Sequence, residues 1–149
     1  MKLHYEQITE AVHCTSRDAG EIFNGGGQYL KIRLPEKSAD ETHAVVTLNI
    51  PRPYVKGDNW PGLIFEVSKY NYDDEEWEVL AFGECTYEDW QPGSYARMPI
   101  TVVALVELDA ESKTTVAGLW RLSREGEGII DSIASISAVT GVHVPYSHF

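Results

Sequence analysis

Hydrophobic and polar residues alternate along much of the chain in the pattern of half-buried β-strands. The segment QYLKIRL places Leu30, Ile32 and Leu34 on one face and its polar or aromatic residues on the other. The segment HAVVTLNI repeats the arrangement with Val46 and Leu48 on the inner face. Successive side chains of a strand point to opposite faces, so this period predicts strands with one buried face.

Four further segments predict strands: LIFEVSKY, WEVLAFGECTY, MPITVVALVEL and TTVAGLWRLSR. The third is an almost unbroken apolar run, which predicts a central strand with both faces covered. The segment PRPYVKGDNWPG contains Pro51 and Pro53. Proline lacks the backbone N–H that a central strand needs, so this segment is predicted to be a connecting loop.

The two ends of the chain are ambiguous. Residues 4–13 place several apolar side chains on one helical arc and alternate poorly, which slightly favours a short N-terminal helix. Residues 129–140 have isoleucines at helical spacing, with Gly141 as a candidate helix cap. The Ser and Ile content of this second segment equally suits a strand, and both interpretations stay open.

Polar breaks recur at the spacing of a strand plus a turn. This pattern predicts a mainly β fold: a single-domain antiparallel sandwich or barrel of about 7–8 strands over residues 1–149, with a short terminal helix as an option. The alternative is an α+β fold with a strongly curved antiparallel sheet. No internal repeat, low-complexity segment or linker indicates a second domain.

Composition and charge narrow the classes of partner. The chain has 149 residues, 43% of them apolar, which is enough for one core. Its net charge is −11 and its cations are scattered, which argues against nucleic acid and against an anionic membrane as partners. No signal peptide or membrane span is recognisable, and Cys14 and Cys85 form no disulfide framework, so a cytoplasmic location is expected.

The segment YNYDDEEWEVL contains four consecutive acids, residues 73–76. An EF-hand calcium loop spaces its acids at alternate positions around a glycine, whereas these acids are contiguous. Neighbouring strand residues also point to opposite faces, so the four carboxylates would not converge. The segment is therefore predicted to be the solvated turn of a hairpin, and no metal site is predicted.

Aromatic residues in or near loops are the candidate ligand site. Tyrosine and tryptophan offer a flat apolar face and a hydrogen-bonding group, which suits a sugar, a flat heterocycle or a protein partner. The alternative is that they are core residues of strands, as Trp120 is expected to be. Trp60 and Trp90, in turn-like segments, would then cap the ends of the core. The predicted ligand-binding residues are Trp60, Tyr70, Tyr72, Trp77, Tyr87 and Trp90.

No catalytic motif is present: the chain has no HExxH and no G-x-S-x-G. We therefore predict no catalytic residues and no cofactor. Glu66, Glu78 and Glu84 lie in predicted strands and would face the interior if the sheet closed into a barrel. Burial would then raise their pKa values.

The leading hypothesis is a non-enzymatic module that binds a small molecule, a glycan or a protein partner through its loop aromatics. One alternative is an acidic immunity or inhibitor protein that docks on a basic partner. Another is a small β-barrel or α+β enzyme with an enclosed acid or histidine site. A homo-oligomer, as in a structural subunit of an assembly, is a further alternative, with the apolar run ITVVALV as a candidate contact.

Overall fold

All regular secondary structure in the described part of the chain is β-strand. The structure, a computed structural model, describes residues 3–8, 12–14, 20–21, 30–51, 53–56, 63–85, 99–111, 113–122, 127–130 and 134–142, and side chains over 30–51, 63–84, 99–111, 113–122 and 134–140. The strands are β1 (Leu3–Ile8), β2 (Val12–Cys14), β3 (Gly20–Glu21), β4 (Lys31–Arg33), β5 (His43–Ile50), β6 (Pro53–Lys56), β7 (Leu63–Asn71), β8 (Glu76–Cys85), β9 (Ile100–Glu107), β10 (Thr115–Leu122), β11 (Glu127–Ile130) and β12 (Ala134–Val142).

The strands pair antiparallel in three sheets. The first sheet has the order β1-β12-β5-β9. The second has the order β3-β10-β7-β8, with β4 also paired to β10. A small third sheet has the order β2-β11-β6. Seven strands of the first two sheets have six residues or more. Their antiparallel pairing in two sheets confirms the predicted mainly β antiparallel sandwich.

The core lies between the first and second sheets. Inward-facing residues alternate with outward-facing ones on β5 and β9, as the period of two predicts. The largest fully buried side chains are Phe65, Leu30, Leu34, Leu48, Ile50, Leu63, Leu108, Ile136 and Val46. Trp120 belongs to the same cluster at 8% exposure, which confirms its expected role in the core.

The two sheets approach each other closely at Gly83 on β8. A Cβ atom at this position would lie 3.0 Å from a methyl carbon of Ile100 and 3.2 Å from one of Val102. Both contacts are tighter than ordinary van der Waals distance, so the absence of a side chain lets β8 pack against β9.

Both ambiguous ends are strands, so the helix favoured over residues 4–13 is wrong. β1 pairs with β12 from Leu3 opposite Val139 to Ile8 opposite Ala134, and this ladder satisfies its backbone groups. The described part of residues 129–140 lies in β11, which ends at Ile130, and in β12, which begins at Ala134. In β12, Ile136 is buried while Ser135 and Ser137 are partly exposed, so a period of two overrides the isoleucine spacing.

Two other expectations are also corrected. The predicted central strand of the apolar run is β9, an edge of the first sheet that is exposed at every second residue. Its β-branched side chains suit an edge strand with one covered face as well as a central strand. The predicted loop at residues 51–62 contains the strand β6, which begins at Pro53, a position where a proline costs the ladder least.

The second sheet differs from the first because its middle strands are covered on both faces. The first six residues of β7 and of β10 are all buried. The outward-facing side chains of this sheet therefore include buried polar groups, and one end of the same face forms the candidate site. No helix in the described ranges is long and apolar enough to cross a membrane.

Candidate functional site

The acidic segment is the turn of the β7–β8 hairpin, as predicted. The side-chain oxygen of Asn71 accepts hydrogen bonds from the backbone N–H groups of Asp73 and Asp74, at 3.0 and 3.2 Å. Its amide nitrogen donates to an Asp74 carboxylate oxygen at 3.1 Å. Glu75 has φ of 55°, the left-handed conformation that closes the turn. The acids of residues 73–76 are all exposed.

Three of the predicted aromatic residues meet beside this turn. The Tyr70 ring lies 4.8 Å from the Tyr72 ring at 86°, and 5.1 Å from the Trp77 ring at 67°. Both are edge-to-face contacts, the arrangement that aromatic quadrupoles favour. Tyr70 is thus held between two neighbours, and the three rings act as one unit.

Strand pairing aligns two of these aromatics with residues of the neighbouring strands. Arg33 on β4 lies opposite Thr115 on β10, and Tyr70 on β7 lies opposite Trp77 on β8. The register between β10 and β7, continued by one residue beyond its last pair, brings Thr115 beside Tyr70. Paired residues share a face, so these side chains form one row across four strands on the outer face of the second sheet.

A hydrogen bond fixes the third ring. The Tyr72 hydroxyl lies 2.9 Å from the Thr115 side-chain oxygen, although Tyr72 is 47% exposed. An exposed tyrosine ordinarily changes rotamer freely, and this contact restrains it. Tyr72 is therefore both accessible and oriented.

These residues surround an open groove of about 610 Å³. We call it the aromatic groove; it is lined by Lys31, Arg33, Tyr70, Tyr72, Trp77 and Thr115. Among the residues whose side chains the structure describes, its lining combines flat apolar rings, hydroxyl groups and two cations. Such a surface can stack against a ring and donate hydrogen bonds to its substituents.

A second groove of about 450 Å³ shares Tyr70 and Tyr72. We call it the acidic groove, because its lining includes Asp73, Glu78, Asp109 and Glu111, together with Lys69 and Lys113. Its two lysines are paired with acids: Lys69 with Asp109 at 3.1 Å, and Lys113 with Glu111 at 2.8 Å.

The outer face of the second sheet also carries a buried carboxylate. Glu66 is 3% exposed, and its oxygen accepts a hydrogen bond from the Arg121 Nε at 2.7 Å. Of the three glutamates considered for an interior site, Glu78 and Glu84 are exposed instead. Only Glu66 of the three is buried, and its contact is a structural ion pair on one sheet.

The structure therefore brings together Tyr70, Tyr72 and Trp77, and the other three predicted site residues lie outside the described ranges: Trp60, Tyr87 and Trp90. Sequence reasoning missed Lys31, Arg33 and Thr115 as groove residues. The alternation of QYLKIRL already places Lys31 and Arg33 on the outer face. What it could not give is the pairing of β4 with β10, which brings them beside the aromatics.

Comparison with known proteins gives one family match. The family model described as "Bc2l-C, N-terminal domain" matches residues 15–139. No curated protein matches the chain. A solved structure described as "Structure of Eiger TNF from S. frugiperda" is similar with a TM-score of 0.49 and 9% sequence identity, over 99% of each chain.

Proposed function

The chain belongs to the family of the Bc2l-C N-terminal domain, and we propose that it is a non-enzymatic carbohydrate-binding module whose site is the aromatic groove. The lectin-like character of that family supports a glycan as the ligand. The observation that carries the proposal is the cluster of Tyr70, Tyr72 and Trp77 around an open groove.

The chemistry of the groove suits a sugar. A sugar ring presents an apolar face of C–H groups and a rim of hydroxyls. The aromatic rings can cover the apolar face, and Thr115, the tyrosine hydroxyls and the two cations can bond to the rim. A volume of about 610 Å³ lies within the roughly 300–1,000 Å³ that is typical of small-molecule sites.

The groove is also ordered in advance of binding. The edge-to-face contacts of Tyr70 hold the three rings together. The hydrogen bond from Tyr72 to Thr115 restrains the most exposed ring. Because less rotamer freedom is lost on binding, a weakly interacting ligand such as a neutral sugar gains affinity.

Titration calorimetry against a panel of neutral and charged oligosaccharides tests the proposal. Trp77→Ala is expected to weaken the binding of a glycan by about tenfold or more in Kd, since a buried aromatic anchor typically contributes that much. The matched control is Phe82→Ala, on the same strand but outside the groove and 66% exposed.

The control variant is expected to bind as the wild type does. Equal weakening by both substitutions would place the glycan elsewhere. Absence of binding to every member of the panel would overturn the carbohydrate proposal itself.

We infer a second partner from the outer face of the first sheet: another copy of the chain. Val103 and Leu105 on β9 are 55% and 54% exposed, and they lie opposite Thr47 and Val45 on β5. Val45 in turn lies opposite Val139 on β12. These two neighbouring rows, with Ser137 opposite Thr47, form an uncharged and mainly apolar patch across three strands.

The charge of the patch favours a second copy over a basic protein. The chain carries a net charge of −11, so two copies repel each other wherever acids face acids. The central rows of the patch contain no charged side chain, which lets identical surfaces meet without that repulsion. A basic partner would gain its attraction from acids, and the patch has none to offer.

Sedimentation velocity over a wide concentration range tests this second proposal. The wild type is expected to self-associate, and Leu105→Lys is expected to be monomeric because it buries an unpaired charge in the contact. Phe82→Lys, on an exposed site of the second sheet, is the matched control and should associate normally. A wild type that stays monomeric at the highest concentration would overturn the inference.

A further inference from the structure

We propose that two copies of the chain, joined through the first sheet, link separate glycan-bearing surfaces and do not bind side by side to one surface. This inference rests on both parts of the proposed function, the glycan site and the second copy. The observation behind it is that the aromatic groove and the uncharged patch lie on opposite outer faces of the sandwich. The uncharged patch consists of Val103, Leu105, Thr47, Val45, Ser137 and Val139.

On the first sheet, the uncharged patch points away from the core. Val102, Ala104 and Val106 of β9 belong to the buried core cluster. Val103 and Leu105 alternate with them and are 55% and 54% exposed. Successive residues of a strand point to opposite faces, so the patch lies on the outer face of this sheet.

The uncharged surface extends by one more row toward the start of β9. Thr101 lies opposite Asn49 on β5 and donates a hydrogen bond to its side-chain oxygen at 3.3 Å. Asn49 lies opposite Ser135 on β12. Three successive rows across these three strands thus contain no charged side chain, in a chain whose net charge is −11. Two copies can therefore bring this surface together without repulsion between acids.

On the second sheet, the aromatic groove points away from the same core. Val116 on β10 belongs to the core cluster, whereas its neighbour Thr115 lines the groove. Val67 on β7 also belongs to the core cluster, and Tyr70 is three residues further along that strand. An odd spacing on a strand places two side chains on opposite faces. The groove and the uncharged patch are thus separated by the thickness of both sheets.

Contact between two uncharged patches fixes the direction of both grooves. In a symmetric pair the same surface of each copy meets. The groove of each copy then lies on the far side of its own core, however one copy is rotated in the plane of the contact. Such a pair stacks four sheets with about 10 Å between neighbours, so the two grooves lie about 30 Å or more apart and open in opposite directions.

The opposed grooves determine how the pair binds to a glycan-bearing surface. Two sites that open toward one surface can bind it together, and the second binding event then gains from a high effective concentration. Opposed sites cannot both reach one flat surface, so this gain is lost. The second groove stays free for another surface. The pair is thus a cross-linker of glycan-bearing particles.

Hydroxyl-radical footprinting of the wild type tests this geometry without a ligand. The protein is oxidised at concentrations below and above the range in which sedimentation velocity detects the pair. Association is expected to protect Leu105 and to leave Tyr72, which is 47% exposed beside the groove, as reactive as before. Protection of Tyr72 or Trp77 would show that the contact covers the groove, and the inference would be wrong.

Agglutination tests the function itself. The probes are latex beads coated with mannan or with desialylated fetuin. The wild type is expected to agglutinate beads that it binds, and only at concentrations at which the pair forms. Leu105→Lys and Val103→Lys are expected to bind the beads equally well but to fail to agglutinate them at about ten times the wild-type concentration, because one groove cannot link two beads.

The matched control is Phe82→Lys, an exposed site of the second sheet outside the groove, which should agglutinate as the wild type does. On a flat layer of the same coat, the wild type and Leu105→Lys should bind with the same Kd, since the pair places one groove on the layer. Thermal unfolding of each variant confirms that folded proteins are compared.

The outcomes separate this inference from the proposed function. If Leu105→Lys agglutinates the beads normally, if a paired wild type binds them without agglutination, or if the wild type binds the flat layer far more tightly than Leu105→Lys, the grooves are not opposed. The inference is then wrong and the glycan site stands. If the wild type stays monomeric, the second copy and this inference fail, and the glycan site again stands. If neither coat is bound, the inference fails together with the carbohydrate proposal.

Discussion

The outer faces of the two sheets differ in which of their side chains are exposed and which are buried. On the first sheet, β9 alternates between buried and exposed residues, and Val103 and Leu105 stand out in the solvent. On the second sheet, Glu66 and Ser68 of β7 are 3% and 0% exposed although they point away from the core. The outer face of the first sheet leaves apolar side chains exposed, whereas that of the second buries polar groups and carries the aromatic groove.

The difference shows that the two sheets of a β-sandwich have unequal needs for polar contacts. A sheet with one buried face needs only a period of two, and its outer face is free for a partner. A sheet with two buried faces must satisfy the polar groups that it encloses. The second sheet does this for Glu66 through Arg121, and the aromatic groove lies farther along the same outer face.

The largest expected effect is the difference in stability between a substitution on the inner face of the first sheet and one on its outer face. Leu48 on β5 is 0% exposed and Leu105 on β9 is 54% exposed. Leu48→Ala should lower the free energy of unfolding by about 2–5 kcal/mol, because it removes buried methyl groups and leaves a cavity. Leu105→Ala should change it by less than about 0.5 kcal/mol in the monomer.

Urea unfolding of both variants, at a protein concentration where the wild type is monomeric, makes this measurement. A large loss in Leu105→Ala under those conditions would mean that β9 has a covered outer face within the monomer. The first sheet would then resemble the second.

The buried ion pair tests the outer face of the second sheet. Arg121→Ala leaves the Glu66 carboxylate buried without its partner. The expected loss is about 3 kcal/mol, at the lower end for a broken buried pair because the Arg121 side chain is 46% exposed. The double variant Glu66→Leu with Arg121→Met should recover most of this stability, because it buries no charge.

Chemical unfolding at neutral pH measures the single and double variants together. A single variant as stable as the wild type would show that Glu66 is solvated in solution, and the contrast between the two outer faces would largely disappear.

Within the first sheet, sequence reasoning predicted the covered face of β5 correctly and the covering of β9 wrongly. The alternation in HAVVTLNI placed Val46 and Leu48 inward correctly, since one face of that strand is covered. The continuous apolar run of β9 led to the wrong prediction of two covered faces, because its outward-facing Val103 and Leu105 are also apolar. Composition alone cannot distinguish a covered strand from an edge strand with an apolar outer face.

The candidate site was predictable only in its local part. Tyr70, Tyr72 and Trp77 are close in the chain, and a hairpin brings them together whatever the rest of the fold does. Arg33 and Thr115 are distant in sequence and reach the groove through the pairing of β4 with β10. Long-range strand order does not follow from local periodicity, so no pattern in the sequence revealed them.

A smaller effect is expected at Ser68, which is 0% exposed. Its hydroxyl has no hydrogen-bond partner among the described residues. Ser68→Ala removes this buried hydroxyl and should stabilise the protein by about 1 kcal/mol, a rise of about 2–4 °C in the thermal midpoint. Ser68→Val is the control for space, since its extra methyl groups should offset the gain. A lower midpoint for Ser68→Ala would show that the hydroxyl is satisfied in solution.

The smallest expected effect concerns an ion pair like that of Glu66 but fully exposed. Lys113 lies 2.8 Å from Glu111, and its hydrogen bond, followed by its charge, lowers the pKa of Glu111. The same contact raises the pKa of Lys113. The contribution of Glu111 is therefore present above its unfolded pKa and is lost as the pH falls through the lower folded value. That of Lys113 is present below its unfolded pKa and is lost as the pH rises through the higher folded value.

Exposure makes this pair a control for the buried one. Solvent screens the attraction between exposed charges, so Glu111→Gln should leave the thermal midpoint at neutral pH unchanged. An NMR titration of the Glu111 carboxyl carbon should still show the lowered pKa, and Lys113→Gln should abolish that shift. A midpoint that fell as far in Glu111→Gln as in Arg121→Ala would mean that burial does not set the strength of these pairs. The enclosed outer face of the second sheet would then lose its distinction from the exposed surface of the protein.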